Sequence, residues 1–76
     1  MKSQKLLFSA LKAKYEADEL DALARISVYS TNSVGIGEHP QITEEMDKLV
    51  QQYVDATDKQ NGLKEIITFL NNQNEE

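Results

Sequence analysis

Residues 42–70 read ITEEMDKLVQQYVDATDKQNGLKEIITFL, and the fold turns on this stretch. Ile42, Met46, Leu49, Tyr53, Ala56, Gln60, Leu63, Ile67 and Leu70 follow one another at alternating steps of four and three. Steps of that size keep nine side chains on one stripe of an α-helix. A half-buried strand would alternate every second residue, and this stretch does not. Gln60 alone in the series is strongly polar. An apolar stripe on a helix needs a neighbour to cover it. The spacing therefore predicts a long helix, about residues 40–71, with its seam against a second helix. A single polar residue in such a seam, here Gln60, either sets the register of the pair or turns its amide out to the rim.

Asn61-Gly62 interrupts this pattern with a helix-stop signal. Two readings stay open. The helix runs through, with Gly62 on its outer side at a cost of about 1 kcal/mol against alanine. Alternatively it ends at Asn61 and resumes at Leu63. The phase of the stripe is kept across the glycine, which favours continuity. At the other end Pro40 suits a first helical position, with Thr43 as a competing cap. Glu44, Glu45 and Asp47 lie in the first turns, where the helix dipole favours negative charge. Glu44 with Lys48 and Asp55 with Lys59 form i,i+4 pairs in the favourable order. Residues 72–76 are expected to fray.

Upstream lies the one concentrated run of breakers, Ser30-Thr31-Asn32-Ser33-Val34-Gly35-Ile36-Gly37-Glu38-His39-Pro40. It divides the chain into two segments of similar length. The first reads as a helix over about residues 3–30, capped by Ser3. Its stripe holds Phe8, Leu11, Tyr15, Ala22, Ile26 and Tyr29, broadened by Leu7, Leu20 and Leu23. Asp18 and Glu19 break that stripe at its middle. Two helices joined by a turn over about residues 31–39 make an antiparallel all-α hairpin, one domain spanning residues 1–76. Folding at about residue 35 sets residue i beside residue 70 minus i. Lys12 and Lys14 then approach Asp55 and Asp58, Arg25 approaches Glu45, and Lys48 approaches Asp21. Apolar residues remain outside the seam, among them Val50, Val54, Ile66 and Phe69. A second hairpin would cover them, giving a four-helix bundle as a homodimer.

The 76 residues carry a net charge of −5 and no cysteine. A disulfide framework and cysteine-based metal sites are thereby excluded. Residues 39–76 hold eight acidic and three basic side chains, so the negative excess lies in the second half. Such a surface repels phosphate backbones, and direct nucleic-acid binding is not expected. No uninterrupted apolar run exceeds three residues, as in Leu6-Leu7-Phe8, so no membrane span is expected.

Residues with chemical potential are sparse. Gly35-Ile36-Gly37 opens like a phosphate loop, but Pro40 stands where the third glycine belongs and no strand precedes it. A glycine-assisted turn of Gly35, Gly37, His39 and Pro40 is the expected reading. His39 is the one histidine, and Glu38, Glu44 and Glu45 near it fall short of a converging ligand set. No nucleophile, base and oxyanion donors come together in sequence. The expectation is no catalytic residue, no cofactor and no metal.

The segment Val34 to Pro40, with Val28-Tyr29 before it and Ala56-Thr57-Asp58-Lys59 after it, resembles a group of small uncharacterised proteins of large contractile-tailed, notably marine, bacteriophages. The resemblance extends over about residues 5–70. It implies an α-hairpin, a phage origin and a place in the host cytoplasm during infection, and it implies no activity. The function expected from residues and resemblance together is a non-enzymatic helical interaction module. It would self-associate and bind one phage or host protein. The alternative is an acidic regulator of nucleic-acid machinery that acts through protein contact.

Overall fold

Two long helices, antiparallel and in contact along their length, make up a computed structural model that describes residues 2–31 and 41–74. Helix α1 is Lys2–Thr31, 30 residues, and helix α2 is Ile42–Asn74, 33 residues. At 1.5 Å per residue they measure about 45 and 50 Å. The molecule extends 60 × 17 × 14 Å, so it is a rod one helix thick. Among the described residues there is no strand.

Helix α1 meets its expected bounds to within one residue, while α2 starts two residues inside residue 40 and runs three past residue 71. Ser3 lies inside α1 and Thr43 inside α2, so neither is a cap. The Glu45 N–H donates to the Gln41 carbonyl at 3.0 Å, which places Gln41 at the start of α2. At the other end of the turn, the Thr31 hydroxyl donates back to the Ser27 carbonyl at 3.0 Å and the Val28 carbonyl at 3.1 Å. This is the back-bonding to the preceding turn that a threonine hydroxyl makes in a helix. Residues 72–74 continue α2, where fraying was expected.

Helix α2 passes through Asn61-Gly62 without a break, and no described glycine has a positive φ. Gly62 is therefore a residue of the helix interior, not a stop. The seam holds because the residues that bind α1 stand on both sides of it: Ala56 and Gln60 before, Leu63 and Ile67 after.

The core is thin. Among the described residues Ala22, Leu49, Ala56 and Leu63 are the buried apolar ones, and no large side chain is fully buried. Ala22 at 0% and Ala56 at 2% exposure mark the middle of the hairpin, where two methyl groups allow close approach of the backbones. Tyr15 packs near Lys59, whose ammonium stands 5.7 Å from the ring centre, and Gln52 reaches Asp21. The numbers of residues in contact across the hairpin sum to 70 for Asp18 with Gln52, 73 for Asp21 with Gln52, 74 for Tyr15 with Lys59 and 79 for Glu19 with Gln60, centred about one helical turn beyond the register expected from a fold at residue 35.

Candidate functional site

All nine seam residues of α2 face α1. Leu49, Ala56 and Leu63 are buried, and Ile42, Met46, Tyr53, Gln60, Ile67 and Leu70 are half-buried. From α1 come Phe8, Tyr15, Ala22, Ile26 and Tyr29, with Leu11 at the edge of exposure. Leu7, Leu20 and Leu23, expected to widen the α1 stripe, are exposed. The turn residues Gly35, Gly37, His39 and Pro40 lie outside the described residues.

At mid-rod the seam turns polar. Asp18 and Glu19 are half-buried there, and two glutamine amides of α2 meet them. The Gln52 amide donates to the Asp18 carbonyl at 2.8 Å and to an Asp21 carboxylate oxygen at 2.9 Å. The Gln60 amide donates to a Glu19 carboxylate oxygen at 2.6 Å and to the Ala56 carbonyl at 3.2 Å. Each NH2 group thus has both protons placed. Sliding the helices by one turn would exchange these bonds for water, a loss of about 0.5–1.5 kcal/mol each. Gln60 therefore binds across the hairpin and ties its register. The Gln52 amide, then the Arg25 guanidinium at 3.0 Å, hold the Asp21 carboxyl below its ordinary range.

The charge pairing differs from expectation. Three ion pairs form among the described residues: Lys14–Asp18 at 3.2 Å, Arg25–Asp21 at 3.0 Å and Lys48–Glu45 at 3.7 Å. All are local to one helix. The one-turn shift in register carries Lys12 and Lys14 past Asp55 and Asp58. Lys48 takes Glu45 in place of Glu44, Lys59 turns over Tyr15, and Asp55 accepts from the Gln51 amide at 2.8 Å.

The two broad faces of the rod are unlike. The first carries all three ion pairs together with Gln52. A shallow hollow of about 320 Å³ lies there, lined by Arg25, Val28, Tyr29, Glu45, Lys48 and Gln52, and the exposed Val28 and Ile66 belong to this face too. The second face holds a groove of about 450 Å³ at the end of the rod away from the turn, floored by Phe8, Leu63, Ile67 and Leu70. Lys5, Lys12 and Lys64 stand on its rim, and no acidic residue lines it. Three lysines around an apolar floor are notable in a chain of net charge −5.

No protein-family model, curated protein or solved structure matches this chain. What the protein does has to be read from its own surface. Among the described residues no group of three or more His, Cys, Asp or Glu side chains gathers in a metal-holding cluster, and no helix is long and apolar enough to cross a membrane. Sequence reasoning missed the Gln52 clamp, because Gln52 lies one residue off the heptad. Its side-chain partner is Asp21, while the Asp18 carboxylate is taken by Lys14 of its own helix.

Proposed function

We propose that this protein is a non-enzymatic helical interaction module that works by self-association. The observation that carries this reading is its surface. The chain exposes 6217 Å², whereas a compact monomer of 8.6 kDa exposes about 4,700 Å². Its radius of gyration is 17.4 Å, against about 11 Å for a compact chain of 76 residues. Among the described residues ten large apolar side chains lie exposed, including Leu20, Leu23, Val28, Val50 and Phe69. The excess of about 1,500 Å² exceeds the roughly 800 Å² that each partner buries in a stable complex. A two-fold dimer of hairpins, the commonest closed assembly, would use it to build a four-helix bundle.

The setting as a phage accessory protein in the host cytoplasm rests on the Val34–Pro40 resemblance alone. Binding of one phage or host protein would use apolar surface left over from the dimer.

Light scattering at micromolar concentration tests the reading. A mass near twice 8.6 kDa, with a melting temperature that rises with protein concentration, is expected. A mass of one chain with concentration-independent melting would overturn it.

A further inference from the structure

The geometry points to one face as the self-association surface: the face with the lysine-rimmed groove, closed by a second copy running antiparallel. The inference rests on the self-association reading and adds which face, which direction and which level.

The faces differ in what they leave unmatched. On the first face Lys14, Arg25 and Lys48 each stand against a carboxylate of their own helix, and both Gln52 amide protons are bonded. On the second, none of the ion pairs among the described residues involves Lys5, Lys12 or Lys64. The α2 ridge there runs Val50, Tyr53, Thr57, Gln60, Lys64, Ile67, at steps of three and four, without one acidic residue. Yet α2 has acidic residues at Glu44, Glu45, Asp47, Asp55, Asp58 and Glu65, all off this ridge. The α1 ridge of the same face runs Phe8, Lys12, Glu16, Glu19, Leu23, Ile26.

Each ridge is apolar near both ends and polar at its middle. On α1, Phe8 and Leu23 flank Lys12 to Glu19. On α2, Ile67 and Val50 flank Thr57 to Lys64. A two-fold axis across the rod reverses one copy on the other, laying α1 on α1 and α2 on α2, antiparallel. Pairing Phe8 with Leu23 of the second copy puts the axis between Tyr15 and Glu16. Pairing Ile67 with Val50 of the second copy puts it between Asp58 and Lys59. Within one hairpin these two levels coincide, because Lys59 stands over Tyr15. One axis therefore satisfies both helices.

The same operation brings Lys12 opposite Glu19 of the second copy, twice by symmetry. Glu19 gives one carboxylate oxygen to Gln60, and the other is left for this lysine. Opposite charges at that point select the antiparallel arrangement. A two-fold along the rod would instead lay α1 on α2 of the second copy, with Lys12 at the level of Gln60 and Lys64 and no carboxylate of the groove opposite it.

Two matched variants test the face. Val50 and Ile66 are both outside the seam, at 49% and 52% exposure, on opposite faces of the rod. Val50→Lys should weaken the dimer at least about tenfold in Kd, since each ammonium would lie in the interface. Ile66→Lys should leave the mass unchanged, and circular dichroism should show both variants helical. The reverse ranking would overturn the choice of face, even with wild-type protein dimeric. Spin labels at single cysteines test the direction. Labels at Lys5→Cys should lie about 30 Å apart, because residue 5 stands about 21 residues from its symmetry mate along the axis. Labels at Glu16→Cys should lie within about 20 Å, close to the two-fold. Short distances at both positions mean a parallel pair and would refute the arrangement. A monomeric wild-type protein would refute the self-association reading itself.

Discussion

Replacing Gly62 by alanine should stabilise the protein. Gly62 lies in the interior of α2, has no positive φ, and a Cβ built on it meets no atom within 4 Å. The substitution therefore adds no clash and removes no contact. What changes is the backbone freedom of the unfolded chain and the solvation of the helix, worth about 0.8–1.0 kcal/mol in favour of alanine in a helix interior. For a domain of this size about 1 kcal/mol moves the midpoint by about 4–8 °C. The assay is a thermal melt followed by circular dichroism at 222 nm, with both proteins at the same concentration, since association shifts the midpoint. Gly62 stands three residues after Lys59 and four before Ile66, on the face away from the groove, so the gain should not depend on assembly. A midpoint that falls by several degrees would show that Gly62 serves a turn, and that α2 is two helices.

Tyr53→Pro should unfold α2, because it removes a ladder hydrogen bond and drives a ring into the preceding turn, at about 3 kcal/mol or more. Unchanged helicity and melting would refute a continuous α2 at that point. Leu63→Ala should cost about 2–3 kcal/mol, near the low end for a core leucine, since a thin seam leaves little enclosed cavity. A loss under about 1 kcal/mol in denaturant unfolding would remove Leu63 from the core. Gln52→Ala should raise the Asp21 titration towards its ordinary carboxylate value, as followed by carboxyl NMR. With its folded value depressed, Asp21 adds stability above its unfolded titration point and loses it as pH falls through the folded one. The variant should therefore lose less stability on acidification, and an unmoved Asp21 would assign the depression to Arg25 alone.

The seam of α2 was legible because its period is local. Each step of three or four residues is set within the helix itself, so Ile42 to Leu70 could be placed on one face without knowing the partner. The continuity through Gly62 was legible for the same reason, since a break would have lost the phase. What depends on two segments at once was harder to read. The register between the helices is set by groups far apart in the chain, Gln60 with Glu19 and Gln52 with Asp18. A count outward from residue 35 supplies it only roughly: Arg25 and Glu45 do line one hollow across the hairpin, but no cross-helix ion pair forms among the described residues. Helix ends came within one to three residues, with α1 starting at Lys2 beside Ser3 and α2 at Ile42 between Pro40 and Thr43. Cap preferences are worth only about 1 kcal/mol, and packing of a long seam outweighs them. Asp18 and Glu19 looked like a flaw in the α1 stripe. The Glu19 carboxylate is instead the acceptor for the facing Gln60 amide, and the Asp18 carboxylate pairs with Lys14 within α1.

The rod shape has a consequence for scattering measurements. A radius of gyration of 17.4 Å is that of a compact chain of about 230 residues. Small-angle scattering judged by size alone would therefore assign this protein about three times its length of chain. The proposed antiparallel pair overlaps almost end to end, so pairing thickens the rod and scarcely lengthens it. Its radius of gyration should stay near that of one hairpin while the forward scattering per unit mass doubles. The cross-sectional radius, set by the short dimensions of 17 and 14 Å in the single hairpin, is the quantity that should grow as the protein is concentrated.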